Sequence, residues 1–159
     1  MSTVVDAAVT SKSDEHWMQI ALEHAQRAWV DNEVPVGAVV VSEGSIIGTG
    51  SNSPIALSDP SAHAEILALR VAAGHASNYR LPEATMFVTL EPCIMCVGAI
   101  VQARLQRVVF GAHDLRAGAA GGAFELLGDT RLNHHPAVQS GVLAEQCAEL
   151  LRKFFRQRR

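Results

Sequence analysis

Two of the chain's three cysteines stand three apart in TLEPCIMCVGAI, residues 89–100, directly behind a Glu-Pro step. Some thirty residues upstream, SAHAEI (61–66) offers an imidazole and a carboxylate two positions apart. Thiolate and imidazole are the ligands that zinc favours. Residues three apart lie about 60° from each other around a helix axis, so Cys93 and Cys96 can converge on one point. Pro92 suits a helix opening and would put Cys93 in the first turn, where unpaired N–H groups and the positive dipole end favour thiolate. The same spacing and position equally suit a redox pair. His63 and Glu65 would diverge by about 200° in an ideal helix. They can face one site only if they sit at an irregular helix start.

Three kinds of chemistry compete for this set. A redox pair calls for a thioredoxin-like βαβ opening, whereas here the cysteines follow three strands and two helices. A structural zinc site wants a fourth protein ligand. His113, which follows a strand and could face the site, is one candidate; His134 and His135 read as loop surface. The third arrangement uses one histidine and two cysteines, leaving zinc a fourth position for water. Glu65 would then stand beside that water as a proton shuttle. This catalytic arrangement accounts for the most residues.

The surrounding pattern supplies elements that can hold these groups. Ser13-Asp14-Glu15 reads as an N-cap with a negative first turn, opening an amphipathic helix over 14–30. VPVGAVVV (34–41) and IIGTGSN (46–52) read as a hairpin joined by a four-residue connection, 42–45. Asp59-Pro60-Ser61 announces a helix over 61–73 that stops at Gly74. A strand over 84–90, a helix from Pro92 through 103 and a strand over 107–112 follow. AGAAGGA (117–123) reads as a mobile glycine-rich loop, and a short strand is expected over 137–140. A last helix from 142 carries Leu143, Cys147, Leu150, Leu151 and Phe154 on one apolar stripe, which makes Cys147 a packing residue. Strands separated by crossover helices predict an α/β class: three layers, α/β/α, around a mixed five-stranded sheet. Both candidate ligand clusters fall at the carboxyl ends of strands, where ligands gather in open α/β sheets.

Composition bounds the function. At 159 residues, 48% hydrophobic and 18% charged, the chain reads as a single globular domain over 13–159 behind a flexible tail, 1–12. No apolar run approaches the roughly 18 residues that a membrane span needs. Three cysteines argue against a disulfide framework and for a reducing, cytoplasmic setting. The net charge of −3 disfavours nucleic acid, but its distribution does not. The last eight residues, RKFFRQRR, hold five positive charges and two aromatics, suited to phosphates and bases or simply to a solvated helix end.

H-A-E (63–65) with P-C-I-M-C (92–96) resembles the zinc deaminase signature. VPVGAVVV, DPSAHAEILALR, TLEPCIMCVGA, RVVFGAHD and GAAGG are similar, in this order, to segments of the bacterial tRNA-specific adenosine deaminases, and the resemblance runs from Ser13 to Phe155. It implies a cytidine-deaminase-like fold and a homodimer with one zinc ion per subunit. It makes His63, Cys93 and Cys96 the zinc ligands and Glu65 the proton donor. Asn52 matches the asparagine that holds the substrate nucleoside, and Asp114 an aspartate near the RNA. His113 stands where close relatives often carry arginine, which makes a phosphate contact there weaker and pH-sensitive. Arg152, Phe155 and Arg156 of the basic end would help hold the anticodon stem-loop of a tRNA. The reaction implied is hydrolytic deamination of adenosine to inosine at the first anticodon position by a zinc-activated water. Two rivals stand beside it: the same chemistry on free guanine, cytosine or deoxycytidylate, and a zinc-stabilised RNA-binding module without catalysis.

Overall fold

The computed structural model describes residues 12–158. The expected tail therefore falls outside the described residues except for Lys12, as does Arg159 of the basic end. Helix α1 (Asp14–Val30) starts where the sequence expects, because the Ser13 side chain accepts the His16 N–H at 3.1 Å and Asp14 and Glu15 sit at the positive end of the dipole. A hairpin of β1 (Gly37–Ser42) and β2 (Ser45–Ser51) follows. Then come a four-residue helix α2 (Pro54–Leu57), α3 (Ala64–Ala76), β3 (Ala84–Leu90), α4 (Ile94–Ala103), β4 (Arg107–Ala112), β5 (Ala137–Gln139) and α5 (Ala144–Arg156).

The five strands form one sheet in the order β2-β1-β3-β4-β5. β1 pairs antiparallel with β2 and β3, while β3–β4 and β4–β5 are parallel, so the sheet is mixed as expected. Alternation along the strands sends side chains to opposite faces. Ala38, Val40, Met86, Val88, Val108 and Phe110 pack with α3 and α4 on one face. Val39, Val41, Phe87 and Val109 pack with α1 and Cys147 of α5 on the other. Cys147 is thus a core residue. The parallel register pairs Val88 with Phe110 and Leu90 with Ala112, which brings the carboxyl ends of β3 and β4 side by side. Among the described residues, no helix is long and apolar enough to cross a membrane.

Several boundaries differ from the sequence reading. β1 begins at Gly37, because the Val36 N–H turns back to the Val34 carbonyl at 2.8 Å around Pro35. The hairpin turn is two residues, Glu43 and Gly44, both at positive φ (52° and 76°), the geometry that matches strand twist. α3 begins three residues late: Asp59 accepts the Ser61 N–H and hydroxyl, closing a tight turn before the helix. It then runs through Gly74 and ends at Ser77, in the left-handed region. α5 opens at Ala144 and buries Cys147 and Phe154, while Leu143, Leu150 and Leu151 stay partly covered. On the far strand, the glycines of β2 bring its backbone against the backbone of α3. A Cβ at Gly48 would lie 2.3 Å from the Ala68 carbonyl oxygen, and one at Gly50 would lie 2.2 Å from that of Ala64.

Candidate active site

Both ligand clusters lie at helix starts. His63 is the N-cap of α3 with extended backbone (φ −73°, ψ 153°), so it stands outside the helical periodicity that would have turned it away from Glu65. Cys93 is likewise the N-cap of α4 (φ −81°, ψ 178°) rather than a first-turn residue, because Pro92 holds the chain extended just before it. Cys96 lies one turn further on and is fully buried. The three ligand atoms lie within 4.8 Å of one another, and both sulfurs are 3.6 Å from His63 Nδ1. Zinc bonds of about 2.1 Å to nitrogen and 2.3 Å to sulfur, meeting at the tetrahedral angle, separate those atoms by about 3.6 Å. The donor set fits zinc in chemistry and in spacing.

The electrostatics of the cluster follow from this crowding. The Cys93 thiol is drawn down to about 3 by hydrogen bonds from Cys96 and His63, against the opposing effect of burial. Cys96 is pushed far upward by its bond to Cys93 and by its own burial. The His63 imidazole is raised, first by Cys93 and then by the charge of Glu65. Glu65, only 4% exposed, is pushed up to about 7, chiefly by burial. A cavity of about 200 Å³ opens onto the cluster, with His63, Glu65, Cys93, Asn52, Glu91 and Asp114 in its walls. It is small beside the roughly 300–1,000 Å³ typical of drug-sized ligands, a pocket for one compact group.

The other expected residues divide in two. Asn52 and Asp114 line this cavity. The Asn52 amide donates to the Val34 carbonyl at 3.2 Å, which ties it to the turn before β1. Arg152, Phe155 and Arg156 lie instead on a larger groove of about 790 Å³, with Arg116, Leu151 and Arg158. Arg152 is paired with Glu145 and Glu149, and Arg156 with Glu149. His113 does not approach the cluster: its Nδ1 lies 3.0 Å from Glu91 Oε1. His134 and His135 bond to backbone carbonyls, of Leu105 and Asp129, so no histidine among these supplies a fourth ligand.

Two glutamates that the sequence reading did not single out shape the walls. Glu33, buried, accepts the N–H groups of Ile55 and Ala56 and so holds α2, a helix not anticipated from sequence, beside Asn52. Glu91, 2% exposed, accepts from His113 and from the backbone N–H groups of Asp114, Ala120 and Gly122. Burial raises its carboxyl, but these donors together bring it below the ordinary value. They also correct the expectation for 117–123: the segment is a loop, but one pinned to a buried anion rather than a mobile one. The signal available in sequence was the glycine density itself, which permits close wrapping as well as freedom.

Two cysteines and an imidazole at zinc-ligand spacing, with a buried carboxyl alongside, define a class of enzyme. The chain belongs to the cytidine and deoxycytidylate deaminase family, whose zinc-binding region matches residues 11–112. Within that family it groups with the tRNA-specific adenosine deaminases: over 157 residues it is 52% identical to that of Haemophilus influenzae, covering 98% of this chain and 91% of the relative. A solved structure from a study of A-to-I editing by tRNA:A34 deaminases at the wobble position of transfer RNA superposes with a TM-score of 0.83 at 40% identity, covering 86% of this chain and 99% of that one. The guanine deaminase of Nitrosomonas europaea reaches a TM-score of 0.79 at 24% identity, covering 89% of this chain and 84% of its own, a likeness of fold alone.

Proposed function

We propose that this chain deaminates adenosine to inosine at the first anticodon position of a tRNA, in the cytoplasm, as a homodimer with one zinc ion per subunit. The convergence of His63, Cys93 and Cys96 beside the buried carboxyl of Glu65 carries the chemical part of this reading. Near-full-length similarity to tRNA-specific adenosine deaminases supports the substrate. In this reading His63 Nδ1 and the two sulfurs hold zinc. Zinc supplies Lewis acidity that makes water nucleophilic near neutral pH.

The remaining work falls to the chain's own side chains. Glu65 takes the proton released as the water oxygen bonds to C6 of adenine, and delivers it to ring nitrogen N1. As the bond from C6 to the amino nitrogen breaks, the same carboxylate takes the second proton from the oxygen now on C6, which becomes the carbonyl of inosine, and passes it to the departing nitrogen, so that ammonia leaves. Asn52, fixed by Val34, holds the nucleoside in the cavity. Asp114 contacts the RNA nearby, and Arg152, Phe155 and Arg156 receive the loop backbone and bases along the larger groove. An anticodon loop suits a small pocket because its bases are already unpaired and splay out at low cost.

The deciding experiment offers the purified, zinc-loaded chain an anticodon stem-loop with adenosine at the first anticodon position, beside free adenosine, cytidine and guanine. Inosine in the stem-loop alone is the expected result. Turnover of a free base without inosine in RNA would replace the substrate assignment. Molar mass in solution reads the dimer.

A further inference from the structure

The Glu91 side chain is wholly shielded from solvent, yet among the described residues every donor it meets comes from one segment, 113–122. Its Oε1 takes the His113 ring and the Asp114 N–H, each at 3.0 Å, and its Oε2 takes the Ala120 and Gly122 N–H groups, each at 2.8 Å. The segment is cut to fit. A Cβ at Gly118 would lie 2.3 Å from Glu91 Cδ, and one at Gly122 would lie 2.6 Å from Glu91 Oε1 and 2.1 Å from the Asp114 carbonyl oxygen. Real side chains tolerate neither approach, so the glycines let the backbone wrap the carboxylate.

What the carboxylate holds has a direction. The segment turns Asp114 and Ala117 to the small cavity and Arg116 to the larger groove, so one loop borders both. Asp114 is locked in turn: its Oδ1 accepts the Arg116 and Ala117 N–H groups, and its carbonyl accepts that of Gly118. At its other end Glu91 is two residues from a metal-site cysteine, and its own N–H bonds to the Ala112 carbonyl at 2.8 Å. A single buried anion therefore sets the spacing between the metal-site helix and the loop that spans cavity and groove.

We infer that Glu91 is a positioning residue for polynucleotide substrate: it fixes the 113–122 wall, through Asp114 and Arg116, at the offset from the metal cluster that seats a base in the cavity and its neighbouring backbone in the groove. This rests on the reading of the chain as a tRNA deaminase. The contribution is to substrate binding rather than to the chemical step, since no bond of Glu91 runs to the cluster.

The test is steady-state deamination of an anticodon stem-loop by the zinc-loaded wild type, Glu91→Gln, Gly122→Ala and the double variant, with zinc content measured for each. Wild-type turnover comes first, and its absence would remove the tRNA reading itself rather than the role of Glu91. Given wild-type activity, both single variants should raise KM about tenfold or more, with kcat within roughly threefold of wild type and zinc per chain unchanged. The double variant should be little worse than the worse single one, because both break the same contact. An unchanged KM overturns the inference. So does a fall in kcat in step with lost zinc, which would make Glu91 a support for the metal-site helix alone. If Glu91→Gln does not fold, Gly122→Ala, which disturbs the contact from the loop side, decides by the same criteria.

Discussion

Glu65 and Glu91 line one cavity and are 4% and 2% exposed, yet their carboxyls are shifted in opposite directions. Burial lifts Glu65 to about 7, against its own backbone N–H, the neighbouring His63 and the Cys96 thiol, which favour the anion. Burial lifts Glu91 too, but three backbone N–H groups and the His113 ring outweigh it and leave the carboxyl below its ordinary value. Removal from water is common to both; the number of donors aimed at the oxygens decides between them. A carboxyl poised near neutrality can accept and return a proton. One fixed as an anion can only hold its surroundings in place.

That division of labour can be broken by substitution. The largest effect is expected at Glu65→Gln, which should cut inosine formation about a thousandfold in single turnover while zinc content and thermal midpoint stay at wild-type values or above. Retained activity would dissolve the contrast. Glu91→Ala should show the opposite profile, losing about 3 kcal/mol or more in denaturant unfolding because it strands buried N–H groups. Equal stability to wild type would make the strut dispensable. Gly118→Ala approaches the same carboxylate from the loop and should lose about 1–3 kcal/mol in the same assay.

The smallest effect calibrates the rule on a third carboxylate, at the opening end of β4. Asp14, only partly buried, is held below its ordinary value by a two-pronged bond from Arg107 (2.8 and 2.6 Å) that joins the start of α1 to the start of β4. A lowered folded-state pKa gives a stabilising contribution that is complete above the unfolded value and is lost as pH falls through the folded one. Arg107→Met should therefore cost about 1 kcal/mol or less near pH 7. Thermal midpoints of variant and wild type should converge in acid, below roughly pH 4. A gap that persists there would mean that packing of the arginine stem, not charge, supplies the difference.

The legible part of this site is the part whose partners are rare side chains. His63, Cys93 and Cys96 are few enough, and stand close enough to helix openings, that geometry alone suggests a shared ion. The near-continuous apolar runs of β1, β3 and β4 likewise disclose a buried sheet with helices on both faces. Glu91 was opaque because its partners are mostly backbone N–H groups 23 to 31 positions away, donors that any residue but proline carries. The same blindness made the glycine-rich segment read as mobile: local composition records the freedom of a chain, not the buried anion that removes it. At the boundaries, Val34 and Val36 carry strand-like side chains, yet a turn around Pro35 delays the strand. A side-chain turn at Asp59 likewise delays α3.

Where β2 meets α3, main chain rests on main chain at Gly48 and Gly50. Such a seat has no rotamers to relax, so the height of α3 above the strand is set by atomic radii rather than by interdigitating hydrocarbon. His63 rides at the end of that helix and inherits its tolerance. One methyl group at position 50 would act as a wedge under the helix mouth and tilt the ligand away from its two sulfurs.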